Sequence, residues 1–313
     1  MTDQLGRTID YLRLSVTTAC NLRCPYCRPT PLSDALPALS DDDLVRVVRA
    51  AATLGVRHLR LTGGEPLTRP HFLSLVQTLR AIPGLETLSV TTNGTLLAGQ
   101  ANELAHAGIS RINISLDAAD EAACDALTGV PGSFRQTLAG IRAAKEAGLL
   151  VKLNAVLLPS TDILALLSFA SREQVLLRFI EWMPIGGIPQ KAPHTADLMK
   201  LLTDANLDPK PVKASLGNGP ARYFVTNTGQ MFGVIDALSH RFCAGCNRVR
   251  VTASGILKPC LCYGDGADLC PYLQDEAMLT NVMRNAIFQK PAQHCFDTPN
   301  SITEHHSMRE IGG

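Results

Sequence analysis

Between residues 10 and 183 short apolar runs alternate with longer amphipathic stretches. The runs Tyr11–Val16, Val56–Thr62, Leu85–Thr91, Ser110–Leu116, Leu150–Leu158 and Val175–Glu181 have the length and β-branched content of strands. Helices fill the intervals. Ser40 ahead of Asp41, Asp42 and Asp43 supplies a cap acceptor and three acids that complement a helix N-terminus. Gly55 closes that helix, Pro70 opens the next, and Gly108 and Gly148 end two more. Six β–α units in a row predict a parallel sheet with right-handed crossovers. Six strands predict an open barrel rather than the closed eight-stranded form.

The pattern changes after Met183. Pro184, Gly186, Gly187, Pro189 and Pro193 mark a loop or boundary. A helix over Ala196–Ala205 follows, then a Pro- and Gly-rich stretch over 208–220. Short strands come next at Arg222–Thr226, Met231–Asp236, Arg248–Thr252 and Ile256–Lys258, the last two joined by a turn at Ala253-Ser254-Gly255. A helix over Tyr272–Phe288 ends the ordered pattern. The fold expected is α/β: a partial (β/α)6 TIM-like barrel over 1–183 with a C-terminal cysteine-rich α+β extension over 184–313. A chain of 313 residues suits this division, being longer than one core usually serves.

Composition narrows the function. Charged residues make up 18% and the net charge is +1, so no large cationic face for nucleic acid or membrane is expected. No uninterrupted apolar run reaches the length of a membrane span, and the polar N-terminus lacks a signal peptide's apolar core. A cytoplasmic location is the expectation. Thiols there stay reduced, so the ten cysteines read as ligands or plain core residues rather than disulfides.

Cys20, Cys24 and Cys27 fall within eight residues directly after the first strand. Three thiolates in so short a loop can hold three corners of an iron–sulfur cubane, leaving the fourth iron open. A zinc site completed from afar and three buried cysteines are the other readings. Cys243, Cys246 and Cys260 form a second set, with Cys262 close by. A pair of C-x-x-C type facing a later pair fits a zinc ribbon as well as a cluster, and Cys262 separates a closed site from an open one. Cys124, Cys270 and Cys295 match no motif and read as ordinary thiols.

Arg13, Arg60, Lys152 and Arg178 lie inside strand candidates with apolar neighbours. Buried cations need counter-charge, and Glu65, Asp117 and Glu181 are few. A polyanionic ligand in the barrel mouth would balance them, and Arg suits phosphate. Side chains tipped to strand ends beside local acids are the other reading.

Cys-x-x-x-Cys-x-x-Cys after a first strand, with Gly63-Gly64-Glu65-Pro66 after the second, resembles the radical S-adenosylmethionine (SAM) superfamily. The match extends through Arg13–Thr17, Arg60–Thr62, Thr91–Gly94, Ser115–Asp117, Arg178–Met183 and the Cys-x-x-Cys-x13-Cys of the second set to the final Ile311-Gly312-Gly313. These segments resemble the GTP 3′,8-cyclase family of molybdenum-cofactor biosynthesis. The interval between Leu158 and Arg178 looks shorter than is usual there.

The resemblance implies two [4Fe–4S] clusters and SAM as cofactors. The first cluster would sit on Cys20, Cys24 and Cys27, the second on Cys243, Cys246 and Cys260. Tyr26, Gly64, Ser115 and Met183 match positions that contact SAM. Arg13, Arg60, Thr91, Lys152, Arg178, Arg248, Val249 and Arg250 match positions that bind GTP. Arg248, Arg250, Gly312 and Gly313 would support the conversion. The implied reaction takes the hydrogen from ribose C3′ and joins that carbon to guanine C8, giving 3′,8-cyclo-7,8-dihydroguanosine triphosphate. The implied partners are an external electron donor, a cyclic pyranopterin monophosphate synthase that receives the product, and a second copy of the chain as a homodimer. Neither nucleic acid nor membrane is among them. Another two-cluster radical SAM enzyme, such as a peptide-modifying maturase, and a zinc-binding interaction protein are the rival readings.

Overall fold

The computed structural model of the chain describes residues 1–27, 37–185, 191–296, 298 and 301–312. Gly186, Gly187 and Pro189 of the expected boundary loop, and Gly313, lie outside these.

The first half alternates as the sequence predicts. Strands β1 (Tyr11–Ser15), β2 (His58–Thr62), β3 (Thr87–Thr92), β4 (Arg111–Ser115), β5 (Leu150–Leu157) and β6 (Leu176–Glu181) pair in order, each parallel to the next. Between them lie helices α1 (Asp41–Thr53), α2 (Phe72–Arg80), α3 (Ala101–His106), α4 (Glu121–Thr128), α5 (Ser133–Glu146) and α6 (Ile163–Arg172). Ser40 caps α1 by accepting from the Asp43 N–H at 3.1 Å, and three acids fill the first turn. Pro70 does not open α2. His71, at φ 57°, stands between it and the first helical residue, Phe72.

Beyond residue 183 come α7 (Thr195–Asp204), β7 (Lys210–Val212), β8 (Arg222–Val225), β9 (Met231–Ile235), β10 (Arg248–Val251), β11 (Ile256–Lys258), β12 (Ala267–Asp268), α8 (Glu276–Phe288) and α9 (Met308–Ile311). β9 joins β6 and β10 joins β1, both in parallel. One twelve-stranded sheet results, ordered β12-β11-β10-β1-β2-β3-β4-β5-β6-β9-β8-β7. The sheet is therefore open, as expected, but two further parallel strands extend the six. The expected division at 183/184 falls between β6 and α7, and the sheet runs across it.

Three local expectations shift. β7 forms inside the Pro- and Gly-rich stretch by antiparallel pairing with β8. The last long helix starts at Glu276, not Tyr272, because the Asp275 side chain caps it at 3.0 Å from the Met278 N–H. The tail carries α9, opened by a capping box between Ser307 and Glu310.

Strand parity decides what faces where. Leu12, Leu14, Leu59, Leu61, Ile112 and Ile114 point to the helices and belong to the main core. Their alternates Arg13, Arg60, Asn113, Ser115, Lys152 and Arg178 face a cavity. A barrel interior is ordinarily filled with branched apolar side chains; this one is polar.

Candidate active site

The first cysteine loop hangs between the C-terminal ends of β1 and β2. Gly63 and Gly64 allow that approach. A Cβ on Gly64 would lie 2.2 Å from the Ala19 carbonyl oxygen, and one on Gly63, at φ 152°, would lie 2.4 Å from that of Thr17. With side chains absent, the Gly64 N–H donates to Thr17 and the Glu65 N–H to Ala19, each at 2.8 Å. The fully buried Glu65 carboxylate accepts from the N–H groups of Leu67 (3.0 Å) and Asn93 (2.7 Å) and from the Thr92 hydroxyl (2.7 Å). Burial lifts its pKa to about 7 against the pull of those bonds. Glu65 thus acts as a brace rather than as counter-charge to the strand cations.

Tyr26 donates its hydroxyl to Asp117, whose other oxygen accepts from the Val156 N–H at 2.7 Å. Burial raises both groups' pKa values. Burial also pushes the Cys24 thiol up, with Asp117 and the two neighbouring thiols adding to the rise. Ser115, Gly64, Met183 and Tyr26 border the same cavity as Cys20, Cys24 and Cys27.

The second set reaches that cavity from the other side. Cys243 and Cys246 sit on a short 3-10 turn and Cys260 directly follows the Ile256–Lys258 strand. Arg7, held by Asp3 at 2.6 Å, donates to the Cys243 carbonyl at 3.0 Å and fixes the turn. Lys290 donates to the Arg248 carbonyl at 3.0 Å and to that of Pro259. Arg248 stands 5.4 Å from the Phe242 ring centroid.

Cys262 is not part of this set. It is fully buried and forms a disulfide with Cys295, packed among Ile185, Phe296 and Ile311. This corrects the expectation that no thiol pairs and that Cys295 stands alone. The chain leaves the strand after Lys258 and bends, so strand alternation no longer applies: Cys260 lines the cavity while Cys262, two residues on, turns into an apolar cluster. Cys124 is buried and Cys270 exposed, as ordinary thiols are. His294 lines the cavity with its Nε2 engaged to the Ala237 carbonyl at 2.8 Å.

Between the triads lies a cavity of ≈ 380 Å³. The strand register sets Arg250, Arg13, Arg60, Ser89 and Arg111 in one row across five strands. Arg111 escaped the sequence reading, although it shares strand parity with Asn113 and Ser115. Burial, then Arg250 and Arg60, hold the Arg13 pKa well down. Arg60 donates to Ser89 at 3.3 Å and faces the Tyr11 ring. Arg178 donates to the side-chain oxygens of Asn154 (3.0 and 2.7 Å) and Asn113 (2.6 Å). Gly233 makes room for it, since a Cβ there would sit 2.8 Å from Arg178 Cγ. Lys152 donates to the Leu216 carbonyl, and burial followed by repulsion from Arg178, Arg111 and Arg60 lowers its pKa to about 8.

Among the described residues no carboxylate forms an ion pair with Arg60, Lys152 or Arg178. Strand-end pairing with local acids is therefore not how these cations are balanced. The Thr91 hydroxyl is buried in the same wall with no hydrogen-bond partner among the described residues. Such a wall fits a polyanion. Val249 borders the cavity between Arg248 and Arg250, its side chain in the core. Arg250 donates to the Gly312 carbonyl at 2.5 Å, which brings the tail to the cavity edge. Among the described residues no three His, Cys, Asp or Glu side chains converge as a single ion requires. Each thiol triad instead borders open space of the kind a multi-iron cluster fills. Among those residues no helix is long and apolar enough to cross a membrane.

Comparison with known proteins shows the family. Residues 14–169 match the radical SAM superfamily and residues 175–296 match Molybdenum Cofactor Synthesis C. The GTP 3′,8-cyclase of Listeria monocytogenes is 38% identical over 304 residues, covering 93% of this chain and 91% of that protein. The GTP 3′,8-cyclase of Geobacter sulfurreducens is 38% identical, covering 99% of both. Among solved structures, Streptococcus suis SuiB bound to S-adenosylmethionine superposes with a TM-score of 0.61 at 16% identity, covering 96% of this chain and 66% of that one. The structure of anSMEcpe with bound AdoMet gives 0.62 at 18%, covering 90% and 83%. These structural likenesses speak for the fold alone. The full-length identity to curated relatives, together with two cysteine triads facing one basic cavity, places the chain in the GTP 3′,8-cyclase family of radical SAM enzymes.

Proposed function

We propose that the chain converts GTP to (8S)-3′,8-cyclo-7,8-dihydroguanosine 5′-triphosphate, the first step of molybdenum-cofactor biosynthesis, within the cavity between the two triads. Residues 1–183 carry the SAM-dependent half of the site and residues 184–313 the second cluster. The cofactors are SAM and two [4Fe–4S] clusters, on Cys20, Cys24 and Cys27 and on Cys243, Cys246 and Cys260. When bound, SAM and the first cluster would supply the radical chemistry, and the second cluster would offer a place for the guanine beside Cys243, Cys246 and Cys260.

The chain's own residues orient and shield. Gly64, Tyr26, Ser115 and Met183 hold SAM at the end of the cavity nearest the first triad. Arg13, Arg60, Lys152 and Arg178 take the triphosphate, with Thr91 contributing its hydroxyl. Arg248 and Arg250, beside the second triad, place positive charge at the guanine, and Val249 packs the strand between them. Gly312 closes the edge near Arg250. Such enclosure matters because a reactive carbon must meet one hydrogen at near-contact range. An external electron donor, a cyclic pyranopterin monophosphate synthase that takes the product, and a homodimer complete the proposal.

The observation that carries this reading is that Arg60, Lys152 and Arg178 face the cavity with no carboxylate paired to them among the described residues. A peptide-modifying enzyme has no need of such cations. The test is GTP binding to reconstituted protein by calorimetry at several pH values. Lys152, with its pKa near 8 in the nucleotide-free protein, is charged below that pH and must take up a proton to hold phosphate above it. GTP affinity should fall as pH rises through 8. Lys152→Ala should bind GTP about tenfold more weakly at pH 7, the worth of one charge-assisted bond, and lose that slope. Equal binding by wild type and variant at pH 7 would refute the assignment.

A further inference from the structure

We infer that Asn93, locked by a closed ring of hydrogen bonds with Asn21 and Thr95, sets the reduction potential of the cluster on Cys20, Cys24 and Cys27. The inference deepens the reading above and rests on its assignment of a cluster to that triad.

Three side chains close the ring. The Thr95 hydroxyl donates to Asn93 Oδ1 at 2.7 Å. Asn93 Nδ2 donates to Asn21 Oδ1 at 2.9 Å, and Asn21 Nδ2 donates to the Thr95 hydroxyl oxygen at 2.8 Å. Each member gives one bond and accepts one, so the bonds polarise one another. Asn21 lies between the first and second cysteines, whereas Asn93 and Thr95 follow β3. The ring therefore fastens the cysteine loop to the sheet.

The direction of the Asn93 amide is forced. Its Oδ1 also accepts from the Thr95 backbone N–H at 3.0 Å, and that group can only donate. The Nδ2 side must then face the cysteine loop, where it stands 4.0 Å from Cys20 Sγ. The backbone of Asn93 is pinned as well. Its N–H donates to Glu65 at 2.7 Å and its carbonyl accepts from the Thr137 hydroxyl at 3.0 Å. Every polar group of Asn93 is engaged, so the amide cannot turn away without breaking several bonds at once. Cys20 Sγ also accepts from the Leu22 N–H at 3.4 Å.

Hydrogen bonds to the ligating sulfurs are among the levers that set cluster potentials. A donor at a thiolate favours the more negative, reduced state. Asn93 thus raises the potential of the first cluster while acting as a positioning residue for Cys20. No mechanistic step above uses it.

The test is a redox titration of anaerobically reconstituted full-length protein, followed through the paramagnetic signal that added SAM perturbs. Asn93→Asp keeps the acceptor for the Thr95 N–H, removes the donor and adds a negative charge. At a fixed poise near the wild-type midpoint its ratio of reduced to oxidised cluster should fall about tenfold, equivalent to about 59 mV for one electron. Thr95→Val opens the ring at nearly constant shape and should shift the midpoint the same way by less. Unchanged midpoints in both variants, with wild-type iron content, overturn the inference. Loss of the first cluster from both variants also overturns it, because the ring would then be a scaffold and not a control on potential. Failure of the underlying reading looks different: wild-type protein would show no SAM-perturbed signal at all.

Discussion

The two cysteine triads each bring three thiols to one cavity, at different spacings along the chain, yet their surroundings carry opposite charge. At the first, burial pushes the Cys24 thiol up and the Asp117 carboxylate adds to the rise. At the second, burial pushes Cys246 up too, but Lys290 and Arg248 outweigh it and leave the thiol below its ordinary range. Burial keeps Cys260 raised despite Lys290. A cationic setting favours the reduced cluster and any anionic ligand. A carboxylate beside the first triad does the reverse, so an electron placed there is ready to leave. Three thiols at two different spacings thus border one cavity in unlike electrostatic settings, and the difference lies in the neighbours.

The largest effects come from removing one thiol on each side. Cys24→Ala and Cys246→Ala should each lose about four of roughly eight irons per chain, the content of one cubane, and both should lose cyclisation. They should differ in SAM cleavage: abolished in Cys24→Ala, retained without GTP turnover in Cys246→Ala. Iron analysis and chromatography of 5′-deoxyadenosine read both results. Equal cleavage by the two variants would break the comparison.

Gly312 joins the two sides. Its carbonyl accepts from Arg250, and its φ is 83°. A Cβ there would lie 3.0 Å from Ser15 Cβ and 3.2 Å from Thr62 Cγ2. Gly312→Val should lower turnover about 100-fold through misplacement of the tail, with iron at both triads intact. Wild-type turnover would show that the tail edge is idle.

The smallest expected effect on chemistry sharpens the second triad's boundary. Cys262→Ser should cost about 2–4 kcal/mol of stability by opening the link to Cys295, read as a lower denaturation midpoint. Its iron content should stay at the wild-type level. Loss of about four irons would make Cys262 a ligand after all.

Much of this was legible along the chain. Strand and helix alternation placed the six parallel strands within a residue or two of their observed ends, because period-two burial is written locally. The triads were legible from spacing, and Arg13, Arg60, Lys152 and Arg178 from cations among apolar neighbours. Arg111, Asn154 and Lys290 were not, since a lone charged or amide residue carries no local signal of what it will face. The Cys262–Cys295 link was hidden because the partners are 33 residues apart and the usual cytoplasmic reading argued against it. β7 was hidden because its Pro- and Gly-rich stretch becomes a strand only by pairing with β8.

By itself the sequence determined which residue types face inward, since side-chain parity follows from the backbone geometry of each strand. It also fixed which thiols stand close enough to share one loop. Only the tertiary structure decided that Arg250 lines up with Arg13 and Arg60, that Asn93 turns its amide toward Cys20, and that Cys260 and Cys262 part ways. Those outcomes depend on register and on contacts between segments far apart in the chain, which are set by how helices and strands pack together and not by any local pattern.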